Sequence, residues 1–347
     1  ALGLKPEDVT LQTTFLGGGF GRRLELDFIV QAAQISKAVN KPVKLLWTRE
    51  DDMTHDFYRP IGQARLQAGL NSQGDLVGLH LRVSGQSINA YLTPHNIVGG
   101  KDRRQLQGYW KEPGEAQIRY TVPNLRIEYA MRNTHVPVGP WRGVNTNQNA
   151  IYLECFMDEV ARAAGKDPLA FRRSLMSQHP KHLAVLQAAA DKAGWDKPLP
   201  AGMFRGIAQF MGYASYSACV AEVSVKNNVV NISRLVFALN CGHVVNPYLT
   251  REQIEGSVAM ALGAIFNPEI TVENGRIKQQ NLDTYPLLKL SSTPRIESVL
   301  IPSYDFWGGV GEPTICVVGP AVANAISAAI GRPVRSFPLS REGLSLA

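Results

Sequence analysis

Three groups in this chain have the chemistry of a reacting site: a lone carboxylate, a displayed guanidinium and a run of glycines. Each lies in a loop far along the chain from the other two. The carboxylate is Glu312, in Trp307-Gly308-Gly309-Val310-Gly311-Glu312-Pro313-Thr314, ahead of the apolar run Ile315-Cys316-Val317-Val318. Glycines let backbone or ligand come close, and Pro313 holds the residue before it out of the α region. A carboxylate fixed there beside Trp307 can be partly desolvated and act as a general base. The same residues also read as a solvated turn. Arg142 is carried by Pro137-Val138-Gly139-Pro140-Trp141-Arg142-Gly143. Its permanent charge and forked donors suit a substrate carbonyl or a developing anion, or the carbonyls of its own loop. Gly17-Gly18-Gly19-Phe20-Gly21 can present backbone N–H groups to an anion, or form a tight turn. An aromatic among glycines is pushed toward whatever the loop faces.

These loops need elements to hold them. Residues 9–15 alternate as a strand and run into the glycine loop, and Phe28, Ala32, Ile35 and Val39 then recur at helical spacing over 27–39. Residues 42–47 read as a second strand. No acidic residue stands where a Rossmann unit needs one, so a nicotinamide dehydrogenase rests on the glycine loop alone. The charged residues 48–52 read as a solvated turn or ion-pair cluster and not as a metal site. Residues 63–70 and 76–84 form a hairpin around Asn71-Ser72-Gln73-Gly74. The stretch 85–114 lacks periodicity and suits a functional surface or partner contact. Strands over 116–120 and 125–132 lead to the Arg142 loop. A helix over 150–164 is closed by Gly165, and Asp167-Pro168 opens another reaching about residue 176.

His179-Pro180-Lys181-His182 reads as a solvated linker and marks a boundary. Beyond it come a helix over 183–193, a hairpin of 218–225 with 229–239, and a capping box at Thr250-Arg251-Glu252-Gln253 that starts a helix to 265. A hairpin then turns on Asn274-Gly275, a strand over 295–301 leads to the Glu312 loop, and a helix over 320–330 ends at Gly331. Strands and helices mix without strict alternation. The fold class is α+β, with mixed sheets and packed helices in two subdomains. Residues 1–178 hold the glycine and Arg142 loops, and residues 179–347 hold the Glu312 loop.

Net charge is +7, but the basic residues are scattered and form no stripe interleaved with aromatics. That pattern speaks against nucleic acid and for an anionic cofactor or an acidic partner. The four cysteines, Cys155, Cys219, Cys241 and Cys316, include no C-x-x-C pair, which argues against an iron–sulfur or structural zinc site carried by this chain alone. Their spacing leaves a disulfide, and so the redox compartment, open. No apolar run approaches the length of a membrane span. The first residues, Ala1-Leu2-Gly3-Leu4, lack an initiator Met and a signal-peptide pattern, so the chain reads as a processed product or the downstream part of something longer.

Three separated segments together resemble the molybdenum-binding subunit of the xanthine oxidase family, the molybdenum hydroxylases. The nearest type is the isoquinoline 1-oxidoreductase β-subunit, a group that also holds aldehyde dehydrogenases. The first segment is Gly17 to Gly21. The second is Trp141-Arg142-Gly143 with Gln148, Glu154 and Met157-Asp158-Glu159, through Gly165-Lys166-Asp167-Pro168. The third runs from Cys241-Gly242 and Asn246-Pro247 through Gln253-Ile254-Glu255-Gly256 to Gly309-Val310-Gly311-Glu312-Pro313. Their joint order covers essentially the whole chain.

The resemblance implies the C-terminal half of such a subunit. Glu312 would be the base that activates the attacking, water-derived oxygen, and Arg142 the guanidinium that orients substrate and stabilises charge. Gly18, Gly19, Phe20, Gly21 and Gly311 would approach a molybdenum–molybdopterin cytosine dinucleotide. The metal would be held by the pterin, with no protein ligand. Phe20, Trp141 and Trp307 suggest a flat apolar slot for an aromatic aldehyde or an N-heterocycle.

The resemblance also implies partners: the upstream half of the subunit as a separate or cleaved chain, a [2Fe–2S] subunit that takes the electrons, and a cytochrome beyond it. It places the protein in the periplasm or at the membrane periphery, with the cytoplasm as the alternative. The run Val144-Asn145-Thr146-Asn147 after Gly143 lacks the further glycines of xanthine oxidases, which speaks against purines. A rival reading is a non-catalytic assembly or structural component that kept the fold. The presence of both Glu312 and Arg142 speaks against it.

Overall fold

A computed structural model describes residues 1–109 and 117–347. The end of the unpatterned stretch over 85–114 and the first residue of the strand expected over 116–120 lie outside the described residues. Helix α1 (Asp27–Val39) has the expected span and ends at Asn40 in the left-handed conformation, yet it buries none of its side chains. Ile29, Val30, Ile35 and Val39 all stand exposed. The strands expected over 9–15 and 42–47 do not form, because neither segment joins a sheet among the described residues. Alternation gives a segment a strand's faces, but its ladder needs a neighbour. The charged stretch after them forms an ion pair, Arg49 to Asp52 at 2.8 Å, as expected of a cluster, but on a helix and not in a turn. It opens α2 (Arg49–Thr54), where Asp51 N donates to Thr48 Oγ1 at 3.2 Å and Thr48 N donates to Asp51 Oδ2 at 3.1 Å.

Strands β1 (Gly62–Leu70) and β2 (Leu76–Gly85) make the expected antiparallel hairpin. A short α3 (Asn89–Leu92) follows, and β3 (Asn124–Met131) adds to β2 in parallel. The strand expected just before β3 is a tight turn instead, with Ile118 and Arg119 at φ of 63° and 64°, values no strand tolerates. Helix α4 (Val144–Ala163) starts earlier than expected because Gly143, at φ +87°, turns the chain straight into it. Asp167 caps α5 (Pro168–Ser174), accepting from Ala170 N at 2.8 Å. Next comes α6 (Pro180–Ala193), closed by Gly194.

The histidines expected in a solvated linker are fully buried. α6 packs on the second sheet and draws them inward. His182 Nδ1 meets Gln209 Oε1 at 2.6 Å, and burial pushes the ring down to about 3, so it is neutral at physiological pH.

That sheet begins with β4 (Phe204–Gly212), β5 (Ser215–Lys226) and β6 (Val229–Asn240), paired antiparallel in sequence. Helix α7 (Pro247–Phe266) starts before the expected Thr250 box because Asn246 Oδ1 caps it, accepting from Tyr248 N at 2.9 Å and Leu249 N at 3.2 Å. The small hairpin of β7 (Val272–Glu273) and β8 (Arg276–Ile277) turns on Asn274-Gly275, both at positive φ. Strand β9 (Arg295–Leu300) lies parallel to β6. Helix α8 (Ile315–Ile330) begins before the expected Pro320, which it contains, and β10 (Ser345–Leu346) closes the chain against β6.

Helix α8 lies across β4 and β5, with α4 against it. Contact is so close that a Cβ on Gly206 would stand 2.2 Å from Ala325 N. The buried apolar cluster includes Leu81 and Leu153 as well as Val236 and Val318, so it spans both halves of the sequence. Inside it, fully buried Arg172 donates to Glu154 Oε2 at 3.0 Å and Asp158 Oδ1 at 3.1 Å. Tyr120 donates to Glu154 Oε1 at 2.7 Å, and Gln209 N to Oε2 at 3.2 Å. Burial opposes the charge on Arg172, but the carboxylates beside it more than compensate and raise it. This network ties α4, α5 and β4 together, and so fixes the helix whose first residues enter the site.

Candidate active site

Both α4 and α8 begin where the three chemical loops meet. The Phe20 carbonyl accepts from Arg142 N at 2.9 Å. Gly21, at φ +106°, approaches the Arg142 loop so closely that a Cβ would stand 2.1 Å from Pro140 O, and no other residue fits there. Arg142 Nε donates to Gly311 O at 2.5 Å, and Gly143 N donates to Glu312 Oε1 at 2.8 Å. The Glu312 carboxylate therefore sits at the N-terminus of α4, where the helix dipole favours negative charge. Gly143 is the N-cap of that helix. A Cβ on it would come within 2.6 Å of Asn147 Oδ1 and 2.7 Å of Ile315 Cγ2.

The far side of the Glu312 loop is clamped to the β4–β5 turn. Gly309 N donates to Tyr213 O at 2.8 Å, and Ser215 Oγ donates to Gly309 O at 2.6 Å. Gly308 N donates to Cys241 O at 2.9 Å, and Ser217 Oγ donates to Pro313 O at 2.9 Å. Glu312 thus lies half-buried in a braced loop.

The sequence suggests an Arg142 displayed on its loop, but the guanidinium is buried, 6% exposed. Nη2 donates to Gln253 O at 3.0 Å and to Gln253 Oε1 at 3.2 Å. Burial pushes the group down, opposed by the charge of Glu312. Arg142 is therefore a fixed positive charge beside the carboxylate, with much of its fork spent on bracing the loops.

The three aromatics do not share one wall. Phe20, at φ 52°, is exposed and folds its ring over Gly18. Trp307 is exposed and stacks on Phe306, with ring centroids 4.7 Å apart. Trp141 is half-buried beneath the Arg59 guanidinium, 5.1 Å from its ring centroid. It lines a small cleft with Arg59, Asn147, Ile151 and Ile315, a lining that includes neither Phe20 nor Trp307.

The backbone N–H groups of Gly17 to Gly21 donate to nothing among the described residues, and such a cradle suits an anionic group. No group of three His, Cys, Asp or Glu side chains able to hold a metal ion occurs among the described residues. Sequence reasoning did not single out the Gly143 N–H, Gln253 or Tyr213 as site groups. The positive φ that a Pro/Gly-rich loop imposes was the one available signal for Gly143.

A profile described as the molybdopterin cofactor-binding domain matches residues 1–176, and a second of the same description matches residues 158–294. The chain belongs to the molybdopterin-binding subunits of the xanthine oxidase family. This molybdopterin-binding chain is 30% identical over 348 residues to isoquinoline 1-oxidoreductase subunit beta of Brevundimonas diminuta, covering 97% of the chain and 43% of that protein. It is 32% identical over 360 residues to a membrane-bound aldehyde dehydrogenase [pyrroloquinoline-quinone] of Gluconacetobacter polyoxogenes, covering 95% and 46%. The chain thus spans less than half the length of these relatives.

Among solved structures, quinoline 2-oxidoreductase from Pseudomonas putida 86 superposes with a TM-score of 0.79 at 12% identity, over 93% of this chain and 66% of that one. Aldehyde oxidoreductase from Desulfovibrio gigas gives 0.74 at 15% identity, over 93% and 53%. At such identities the likeness is one of fold, and it agrees with the α+β class expected from the sequence. No helix among the described residues is long and apolar enough to cross a membrane.

Proposed function

We propose that this chain forms the reacting end of a molybdenum hydroxylase that oxidises an aldehyde or an N-heteroaromatic carbon, with water as the source of oxygen. One observation carries the reading: Glu312, held at 2.8 Å by Gly143 N, stands where the glycine loop, the Arg142 loop and its own loop converge. A molybdenum–molybdopterin cytosine dinucleotide would be held by Gly18, Gly19, Phe20, Gly21 and Gly311. When bound, that group supplies the redox and oxygen-transfer chemistry. Glu312 takes the proton of the attacking water-derived oxygen. The Gly143 N–H keeps the carboxylate aimed, and the buried Arg142 charge stabilises negative charge growing on the substrate heteroatom. Phe20, Trp141 and Trp307 are proposed to shape the substrate slot from separate sides.

The partners follow from what this chain leaves open. The exposed apolar side of α1 and the unpaired segments around it support an upstream half of the subunit, as a separate or cleaved chain, that covers them and completes the dinucleotide pocket. A [2Fe–2S] subunit would take the electrons, and a cytochrome would follow. The division at residue 178 would separate the two cofactor-binding subdomains. The periplasm or the membrane periphery is the proposed location, with the cytoplasm as the alternative.

The test is metal and pterin analysis of the purified complex, followed by turnover of aromatic aldehydes and N-heterocycles in ¹⁸O-labelled water with an artificial electron acceptor. Molybdenum, pterin and label in the product are expected. Active material without molybdenum, or unlabelled product, overturns the reading. A complex that neither binds the cofactor nor turns over substrate would mark a non-catalytic component instead.

A further inference from the structure

The β4–β5 turn carries a side chain for which the reaction above has no use. Tyr213 and Ala214 form a two-residue hairpin turn with φ of 57° and 60°, between the paired Gly212 and Ser215. Such turns favour asparagine and glycine, so a tyrosine there is held against its backbone preference. Residues kept in sparsely populated conformations cluster at functional sites. The surroundings over-determine it: Tyr213 O accepts from Gly309 N at 2.8 Å, and a Cβ on Gly308 would lie 2.4 Å from Ala214 O.

The consequence is a phenol locked beside the carboxylate. The Tyr213 hydroxyl is buried, makes no hydrogen bond of full geometry among the described residues, and has the Glu312 carboxylate and the Gln107 side chain as its polar neighbours. A buried hydroxyl left unsatisfied is costly, so its placement calls for a partner. Burial, then the negative charge of Glu312, pushes the phenol up. It therefore stays protonated and can act as a donor at any working pH. Gly143 N takes one acceptor site of Glu312 Oε1, and the carboxylate, with further acceptor sites, is close enough to act on the phenol.

We propose that Tyr213 is a positioning residue for Glu312, donating its hydroxyl to the carboxylate in the working site. Together with the Gly143 N–H it holds the carboxylate plane from two sides, so that one lone pair faces the substrate. The idea rests on Glu312 being the base, but the contact can be read independently of turnover.

The test is Tyr213→Phe in the purified, cofactor-loaded complex, which keeps the ring and the turn and removes the oxygen. Turnover is expected to fall about 10- to 100-fold, the worth of one hydrogen bond to a charged group, with KM unchanged. The second readout is infrared difference spectroscopy with ¹³C-labelled glutamate, the Glu312 carboxylate bands being those lost in Glu312→Gln. Those bands are expected to shift in Tyr213→Phe. A loss of activity with unmoved bands would reduce Tyr213 to a structural role and overturn the proposal, as would unchanged turnover. Shifted bands in a complex that turns over neither substrate class would uphold the contact and remove the assigned reaction.

Discussion

Gly143 shows how little separates a working site from a disordered one. It supplies the N–H that holds Glu312, its φ of +87° is one few side chains adopt, and a Cβ would strike both Asn147 and Ile315. Gly143→Ala is expected to displace the carboxylate and lower kcat about 10²-fold, the cost of a misplacement near 1 Å. Steady-state kinetics with cofactor content measured on the same sample checks this, and an unchanged kcat counts against the role of the N–H. At this scale the sequence is informative about identity and weak about posture. Glu312 and Arg142 stand out because glycine and proline surround them. The burial of Arg142 does not, because the carbonyls that claim its guanidinium belong to Gln253 and Gly311, on segments remote in sequence.

The elements divide by whether their pattern is local. α1, the β1–β2 hairpin and the β5–β6 hairpin follow from periodicity and turn residues, and they form as expected. β4 escaped notice because it is buried on both faces through most of its length, which erases alternation. The buried start of α6 escaped for a related reason: a His-Pro-Lys-His run looks solvated until α6 packs on the sheet. That burial has a consequence for stability. His182 falls from 6.5 to about 3 in the folded chain. Below pH 6.5 the unfolded chain takes up a proton that the folded one refuses. The stabilisation from a neutral His182 is complete above that pH and is lost as pH falls toward 3. The slope is about 1.4 kcal/mol per pH unit at its steepest. Denaturant unfolding from pH 7 to pH 5 is expected to show a loss of roughly 2 kcal/mol from this group. The loss is expected to shrink in His182→Gln, and an equal slope in that variant would refute the assignment.

Taken whole, the molecule is well packed at one end and bare at the other. The second sheet with α4, α6 and α8 shares a continuous core, whereas α1 buries nothing and the flanking segments 9–15 and 42–47 belong to no sheet. A strand–loop–helix–strand pattern was legible in those residues, but no strand among the described residues pairs with its two strand segments. If the upstream half of the subunit supplies that pairing, amide hydrogen exchange over 27–39 and 42–47 is expected to slow at least tenfold in the assembled complex relative to this chain alone. Equal exchange in both would show that the partner does not cover this face.

The convergence of three remote loops on Glu312 is the claim from which the functional reading follows, and Glu312→Gln tests it most directly. Turnover and molybdenum–pterin content are to be measured on the same preparation of the complex. Wild-type cofactor content with kcat lowered by about 10²- to 10⁴-fold is predicted. Full cofactor content with near-wild-type kcat would contradict the account.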